Sequence, residues 1–297
     1  MESYIDQFTE YLEIQRGASP RTIIAYRFDL IKFKSFLVEN KLSTDIRKIS
    51  KANVRSYLSY LSNPNLGHKS NTIVTRARKL SSIKSFFNFL YREEIIKKNA
   101  IELIDLPSLP KKEPDYLSIK EYQKLLKTIK KTATKYFLVR DIAIFSLFIS
   151  TGIRVSELTS LKQSDLDLKG KTIKIHRKGN KEQTIPLNVE MTKILTKLVT
   201  KTSSNENDRI FLSKNKTGIK ANTVYELVKK YLERSGIEKS KHGPHILRHT
   251  CFTALLSKNV NPVVIQTLAG HASFDTTRRY LHLNDDQIKD AVQKITI

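Results

Sequence analysis

Leu106-Pro107-Ser108-Leu109-Pro110-Lys111-Lys112-Glu113-Pro114 divides this chain into two halves of different periodicity. Three prolines in eight residues cannot continue a helix, because each ring fixes φ and removes a backbone donor. Such a stretch makes an extended, semi-rigid spacer. Just beyond it, Ser118 and Glu121 have the spacing of a capping box, in which each side chain satisfies the other's orphan backbone N–H. The spacer is therefore placed at 108–116, between one domain at 1–107 and another at 117–297. A length of 297 residues fits two domains, each large enough for its own core.

Towards the amino terminus the apolar residues recur at helical spacing. Tyr4, Ile5, Phe8, Tyr11 and Leu12 line one face. Ser19-Pro20 then opens a second helix, with proline in the first turn where its missing N–H costs nothing. Tyr26, Leu30, Phe33 and Leu37 continue it; Val54, Tyr57, Leu58 and Leu61 mark a third stripe, and Val74, Ala77, Leu80, Phe87 and Leu90 a fourth. This half reads as a helical bundle. Towards the carboxyl terminus the pattern is mixed. Helices are expected near 119–130, 136–150, 189–200, 221–234, 245–257, 261–269, 274–282 and 285–294. Thr172–Arg177 and Glu182–Leu187 alternate as strands paired about a Lys-Gly-Asn-Lys turn. The fold class is mainly α with a small β-sheet.

Composition removes several functions. With 39% hydrophobic and 28% charged residues the chain is globular rather than disordered. The longest uncharged apolar run, Ile142–Thr151, is far short of the roughly 20 residues that cross a bilayer. The acidic start Met1-Glu2-Ser3-Tyr4 lacks the layout of a signal peptide, so a cytoplasmic location is expected. One cysteine, Cys251, allows neither an internal disulfide nor a multi-cysteine zinc site. No glycine-rich phosphate loop precedes a Gly-Lys-Ser or Gly-Lys-Thr, and no cofactor is expected.

Charge points to a partner. The net charge is +24, with +7 over residues 1–107 and +17 over the rest, so the excess is not a tail. Each phosphate neutralised by Lys or Arg releases counterions, which makes nucleic acid the natural ligand of such a surface. A lysine-rich solvated surface and an anionic membrane are the plainer alternatives. From Lys69 to Lys84 there are five basic residues and no acidic one, interleaved with Ser70, Asn71, Thr72 and Thr75. Lys69, Asn71, Thr72, Arg76, Arg78, Lys79 and Lys84 are accordingly the candidate DNA contacts.

Four segments carry groups suited to chemistry. Thr151-Gly152-Ile153-Arg154-Val155-Ser156-Glu157-Leu158 sets an arginine at a helix entrance, and Lys178 lies on the hairpin turn. His245-Ile246-Leu247-Arg248-His249 follows Gly243-Pro244; Leu268-Ala269-Gly270-His271 precedes Thr276-Thr277-Arg278-Arg279-Tyr280. Taken singly, each has an ordinary structural reading. Arg154 and Glu157 suit a helix ion pair, Lys178 a solvated turn, and Tyr280 a half-buried helix position. His245 and His249 have metal-ligand spacing, but no acidic partner completes a site, and no metal is expected.

Their joint, ordered occurrence resembles the tyrosine recombinase family: phage integrases, Xer-type recombinases and transposon enzymes of that class, with the Xer and transposon types most similar. Thr-Gly-Ile-Arg-Val-Ser-Glu-Leu, His-x-Leu-Arg-His and Leu-Ala-Gly-His…Thr-Thr-x-x-Tyr are the most specific parts. The stretch Arg16-Gly17-Ala18-Ser19…Thr22…Ala25-Tyr26…Asp29-Leu30…Phe33 looks like the family's core-DNA-binding domain. The resemblance implies a SAM-like amino-terminal bundle and a mixed catalytic domain forming a C-shaped clamp on DNA. It also implies a catalytic set of Arg154, Lys178, His245, Arg248, His271 and the nucleophile Tyr280. The family's glycine before the hairpin lysine and arginine two residues after the second lysine are here Arg177 and Gln183; Lys178, rather than Lys181, is taken as the working lysine.

The function so implied is site-specific recombination, by cleavage and rejoining of duplex DNA through a 3′-phosphotyrosyl ester. A homotetramer would act on two duplexes, with or without a partner recombinase or accessory protein, and without metal or ATP. The helix expected near 285–294 would dock on a neighbouring subunit or on its own domain. The alternatives are a type IB topoisomerase-like enzyme that exchanges no partners, and a non-catalytic DNA-binding regulator of the same fold. A metal nuclease built on His242, His245 and His249 stands further off.

Overall fold

The amino-terminal stripes become helices α1 (Glu2–Ile14), α2 (Pro20–Glu39), α3 (Lys51–Ser62) and α4 (Ile73–Arg92) in the computed structural model. It describes residues 1–63, 71–105, 115–177, 181–201, 208–240 and 242–270. The chain divides into two units, 1–111 and 112–297. The Pro-rich stretch 106–114 and the helices expected near 274–282 and 285–294 lie outside the described residues.

Local chemistry explains where the helices of the first unit begin. Ser19 accepts a hydrogen bond from the Thr22 amide, and Pro20 follows as the first helical residue. Ser50 and Asn53 cap α3 reciprocally, and Thr72 accepts from the Thr75 amide at the start of α4. The buried stripes Ile5/Phe8/Leu12, Leu30/Phe33/Leu37, Val54/Tyr57/Leu61 and Leu80/Phe86/Phe87/Leu90 meet in one core. Val74 is a departure, for it lies in the first turn of α4, 58% exposed, while Ile83 and Phe86 take the core positions further along. Asp29 is fully buried beside them. It accepts both forks of Arg78 and the Ser82 hydroxyl at 2.9 Å, with the Lys79 ammonium 3.5 Å away. A carboxylate in such a place persists because cations and donors surround it.

In the second unit, α5 (Ile119–Thr132) opens on the Ser118–Glu121 capping box, and α6 (Leu138–Thr151) is its central apolar helix. α7 (Val155–Ser160) is a short helix, followed by β1 (Leu166–Asp167), β2 (Thr172–Arg177) and β3 (Lys181–Pro186). These strands form an antiparallel sheet in the order β1-β2-β3. Its β2–β3 register pairs Ile173 with Ile185, Ile175 with Gln183 and Arg177 with Lys181. β1, only two residues long, carries no period of its own and is absent from the sequence-based expectation. α8 (Val189–Val199), α9 (Ala221–Arg234), α10 (Pro244–Ser257) and α11 (Pro262–Ala269) complete the described elements. Ala143, Phe145, Phe148, Leu158, Ile173, Ile175, Tyr231 and Leu247 are among the residues of the shared core. None of the described helices is long and apolar enough to cross a membrane.

Candidate active site

The last turn of α11 gathers the groups of interest. A helix ends in carbonyls that lack intrahelical partners and carry the negative end of the helix dipole, so cations collect there. Arg154, Arg177, Arg248 and Gln183 come from four different places in the chain, and all donate to this turn.

Arg154 is delivered by the junction of α6 and α7. Gly152 ends α6 in the left-handed conformation at φ +61°, and an added Cβ would lie 2.5 Å from the ring of the buried Phe252. Only glycine fits this turn without strain. Arg154 then caps α7, its amide donating to Glu157 Oε2 at 2.8 Å. Its guanidinium donates to Glu157 Oε1 at 2.7 Å and to the Gly270 carbonyl at 3.0 Å. The ordinary i,i+3 ion pair is thus present, and the fork has a second anchor besides.

Arg248 comes from α10 and is only 5% exposed. One of its nitrogens donates to the Gly152 carbonyl and another to the Ala269 carbonyl at 2.7 Å. Its guanidinium lies 4.8 Å from the Phe252 ring centroid. α6, α10 and α11 thereby bring Arg154 and Arg248 to adjacent carbonyls, although 94 residues separate them in the chain. His245 lies one turn before Arg248 on α10, exposed, 6.3 Å from the Tyr225 ring centroid. Lys178, His271 and Tyr280 lie outside the described residues. Lys178 follows the last residue of β2, and His271 follows Gly270, the residue that ends α11 in the left-handed conformation at φ +58°.

Arg177 is the residue whose importance is not apparent from motif spacing. Arg177 donates to the Leu268 carbonyl at 2.7 Å, to the Ala269 carbonyl at 3.0 Å and to Glu157 Oε1 at 3.3 Å. Burial pushes its pKa down, the Glu157 carboxylate opposes that shift, and neighbouring Arg154 adds to it. Gln183, on the same sheet face, donates to the Thr267 carbonyl at 3.0 Å. A signal for Arg177 did exist. Ile173 and Ile175 alternate inward along β2, and Arg177 is next on that inward face.

The candidate DNA-contact residues of the first unit divide. Asn71, Thr72 and Arg76 lie on or just before the first turn of α4, all at least partly exposed. Lys79 does not have the solvated position expected of it. Its side chain is 6% exposed and faces Asp29, because a carboxylate buried between α2 and α4 requires a cation. Arg78 is half exposed but committed to the same carboxylate. Lys84 donates to the Ile104 carbonyl at 2.8 Å, closing the chain segment that follows α4. Lys69 lies outside the described residues. No trio of His, Cys, Asp or Glu among the described residues could hold a metal ion; His242, His245 and His249 are all within them.

Comparison with known proteins finds relatives along nearly the whole chain. The model described as "Phage integrase family" matches residues 115–287, and that of the "Phage integrase, N-terminal SAM-like domain" matches residues 5–94. The chain is 35% identical to tyrosine recombinase XerC of Caldanaerobacter subterraneus subsp. tengcongensis, covering 98% of this chain and 86% of that protein. It is 33% identical to tyrosine recombinase XerD of Staphylococcus saprophyticus, covering 97% of each. A solved structure of XerH site-specific recombinase bound to difH substrate, a pre-cleavage complex, shares the fold. The TM-score is 0.74 at 23% identity, over 98% of this chain and 84% of that one.

Proposed function

This chain belongs to the phage integrase family and is a tyrosine site-specific recombinase, and we propose that Arg154 and Arg248 are its phosphate-binding forks. The observation that carries this reading is their convergence: guanidiniums from α7 and α10 end on neighbouring carbonyls of one helix terminus. Two such forks can pair the nonbridging oxygens of a phosphodiester and offset charge that develops in a pentacoordinate transition state.

Tyr280 Oη is the nucleophile in this proposal. A phenol is protonated near neutral pH, with an ordinary pKa near 10, so it needs a cationic field and a base. His245 accepts the phenolic proton as the oxygen–phosphorus bond forms. The bond from phosphorus to the 5′-oxygen breaks, and Lys178 donates a proton to that leaving oxygen. The products are a 3′-phosphotyrosyl ester and a 5′-hydroxyl. His271 donates a hydrogen bond to a nonbridging oxygen. Attack by the 5′-hydroxyl of a partner strand reverses every one of these steps, so rejoining needs no nucleotide.

The substrate is duplex DNA. Asn71, Thr72 and Arg76, with Lys69, are its candidate contacts in the first unit, supported by the basic run and by the exposure of Thr72 and the partial exposure of Asn71 and Arg76. Lys79, Arg78 and Lys84 have internal partners and serve the fold first. The proposal retains the domain division 1–107, 108–116 and 117–297, a homotetramer on two duplexes, and action in the cytoplasm.

Covalent trapping tests it. DNA from the native locus, nicked beside each candidate cleavage position, is incubated with protein and chelator, and SDS-resistant adducts are mapped. An adduct on Tyr280 through a 3′-phosphate is expected, lost in Tyr280→Phe with binding retained. An adduct that persists in Tyr280→Phe overturns the assignment.

A further inference from the structure

We infer that Arg177 is a positioning residue for strand cleavage, its guanidinium joining the anchor of Arg154 to the anchor of Arg248 and so fixing the spacing of the two forks. The inference rests on the reading of Arg154 and Arg248 as phosphate-binding groups. Its basis is one shared nitrogen. Arg177 Nη1 donates to the Ala269 carbonyl at 3.0 Å, and the same carbonyl accepts Arg248 Nη2 at 2.7 Å. That Nη1 also lies 3.3 Å from Glu157 Oε1, which accepts Arg154 Nη1 at 2.7 Å. Arg177 Nη2 adds a third tie, to Leu268.

Packing alone does not account for an arginine here. Ile173 and Ile175 fill the inward positions before it on β2, and an apolar side chain at 177 would continue that face. The guanidinium instead brings a desolvation cost, and its Nε is buried without a hydrogen-bond partner among the described residues. Gly270 fits the guanidinium as well. A Cβ there would stand 2.4 Å from Arg177 Nη1, so this glycine both ends α11 and leaves room for the fork. The result is a brace between β2, α7 and the end of α11. Glu157 is shared, pairing with Arg154 at 2.7 Å and with Arg177 at 3.3 Å.

The strand register supplies a rescue. Ile175 pairs with Gln183 and Arg177 with Lys181, so residues 177 and 183 are diagonal neighbours on one face. Gln183 already reaches Thr267, one residue before Leu268. An arginine at 183 is long enough to reach the carbonyls that Arg177 holds.

Single-turnover cleavage of nicked DNA by the full chain tests the brace, with binding measured separately and circular dichroism reporting folding. Arg177→Ala is expected to keep DNA affinity within about threefold and to slow cleavage about 100-fold, as misplacement of a positioned group does. On DNA with an uncharged methylphosphonate at the scissile position there is less charge to offset, and the deficit should shrink to about tenfold. A general fold defect would slow both substrates alike and would overturn the inference. Arg177→Ala/Gln183→Arg should recover cleavage to within about tenfold of the parent. If Arg177→Ala does not fold, the double variant decides: folded and cleaving supports the brace, folded and inert overturns it. Arg248→Ala is run alongside. Normal cleavage by Arg177→Ala with none by Arg248→Ala refutes the brace alone. Normal cleavage by both refutes the assignment of the forks, and the brace with it.

Discussion

Replacing Gly152 by alanine puts a methyl group where α6 ends, α10 passes and Arg248 finds its anchor. Two costs can be worked from the structure. At φ +61° a residue with a Cβ is in the left-handed region, which costs about 1–2 kcal/mol. The new Cβ would lie 2.5 and 2.6 Å from two ring carbons of Phe252, a fully buried residue. Overpacking of that kind costs about 1–3 kcal/mol, so the sum is about 2–5 kcal/mol. The chain has no tryptophan, so urea unfolding of the full chain is best followed by far-ultraviolet circular dichroism. With a slope of about 2 kcal/mol per molar urea, the transition of the catalytic unit should move down by about 1–2.5 M. The transition of the amino-terminal unit should stay where it is. The Gly152 carbonyl also accepts Arg248, so the folded fraction should cleave DNA more slowly than its concentration explains. A loss below about 1 kcal/mol with unchanged cleavage would refute both the steric argument and the role of this turn in placing Arg248.

Three further predictions concern the amino-terminal unit. Asp29→Ala leaves the Lys79 ammonium buried without its carboxylate and should cost about 3–5 kcal/mol, read as a lower urea midpoint for that unit. Burial holds the Lys79 pKa below the ordinary lysine value, and Asp29 only partly opposes this. The unfolded chain therefore binds that proton more tightly, and stability should rise with pH between the folded and the ordinary pKa; Lys79→Met should flatten the rise. Arg76→Ala should reduce the slope of log affinity for DNA against log salt by about 1, while Lys79→Met should leave it unchanged. An equal reduction by both would mean that Lys79 leaves Asp29 to reach a phosphate.

The architecture was largely legible because it rests on short-range signals. Ser19-Pro20 and Ser118…Glu121 mark helix starts through a capping chemistry that needs only neighbouring residues, and both helices begin there. The stripe on α2 reads correctly for the same reason, since Leu30, Phe33 and Leu37 recur at the pitch of the helix that buries them. β1 was not legible, because two residues paired to Ile173 and Thr172 have no period and exist only through their partner strand. Val74 misleads for a related reason. It matches the helical spacing, but which turn of α4 reaches the core depends on where α1, α2 and α3 stop.

At the site the division falls between which residues occur and what they hold. Arg154 and Arg248 can be singled out because each sits in a compact, recognisable segment. Their common anchor cannot be read there, since the Ala269 and Gly270 carbonyls belong to the backbone and leave no mark in side-chain identity. Lys79 shows the converse. A lysine in a basic run reads as a DNA contact, yet the carboxylate that claims it lies 50 positions earlier on another helix. Arg177 combines both difficulties. Its inward register on β2 is visible from the alternation of Ile173 and Ile175, and a cation on a core-facing position is a physical anomaly that requires partners. Those partners are one carboxylate and two carbonyls drawn from α7 and α11. An inward-facing charge with no acidic residue in strand register is therefore the feature that locates such a brace in a sequence.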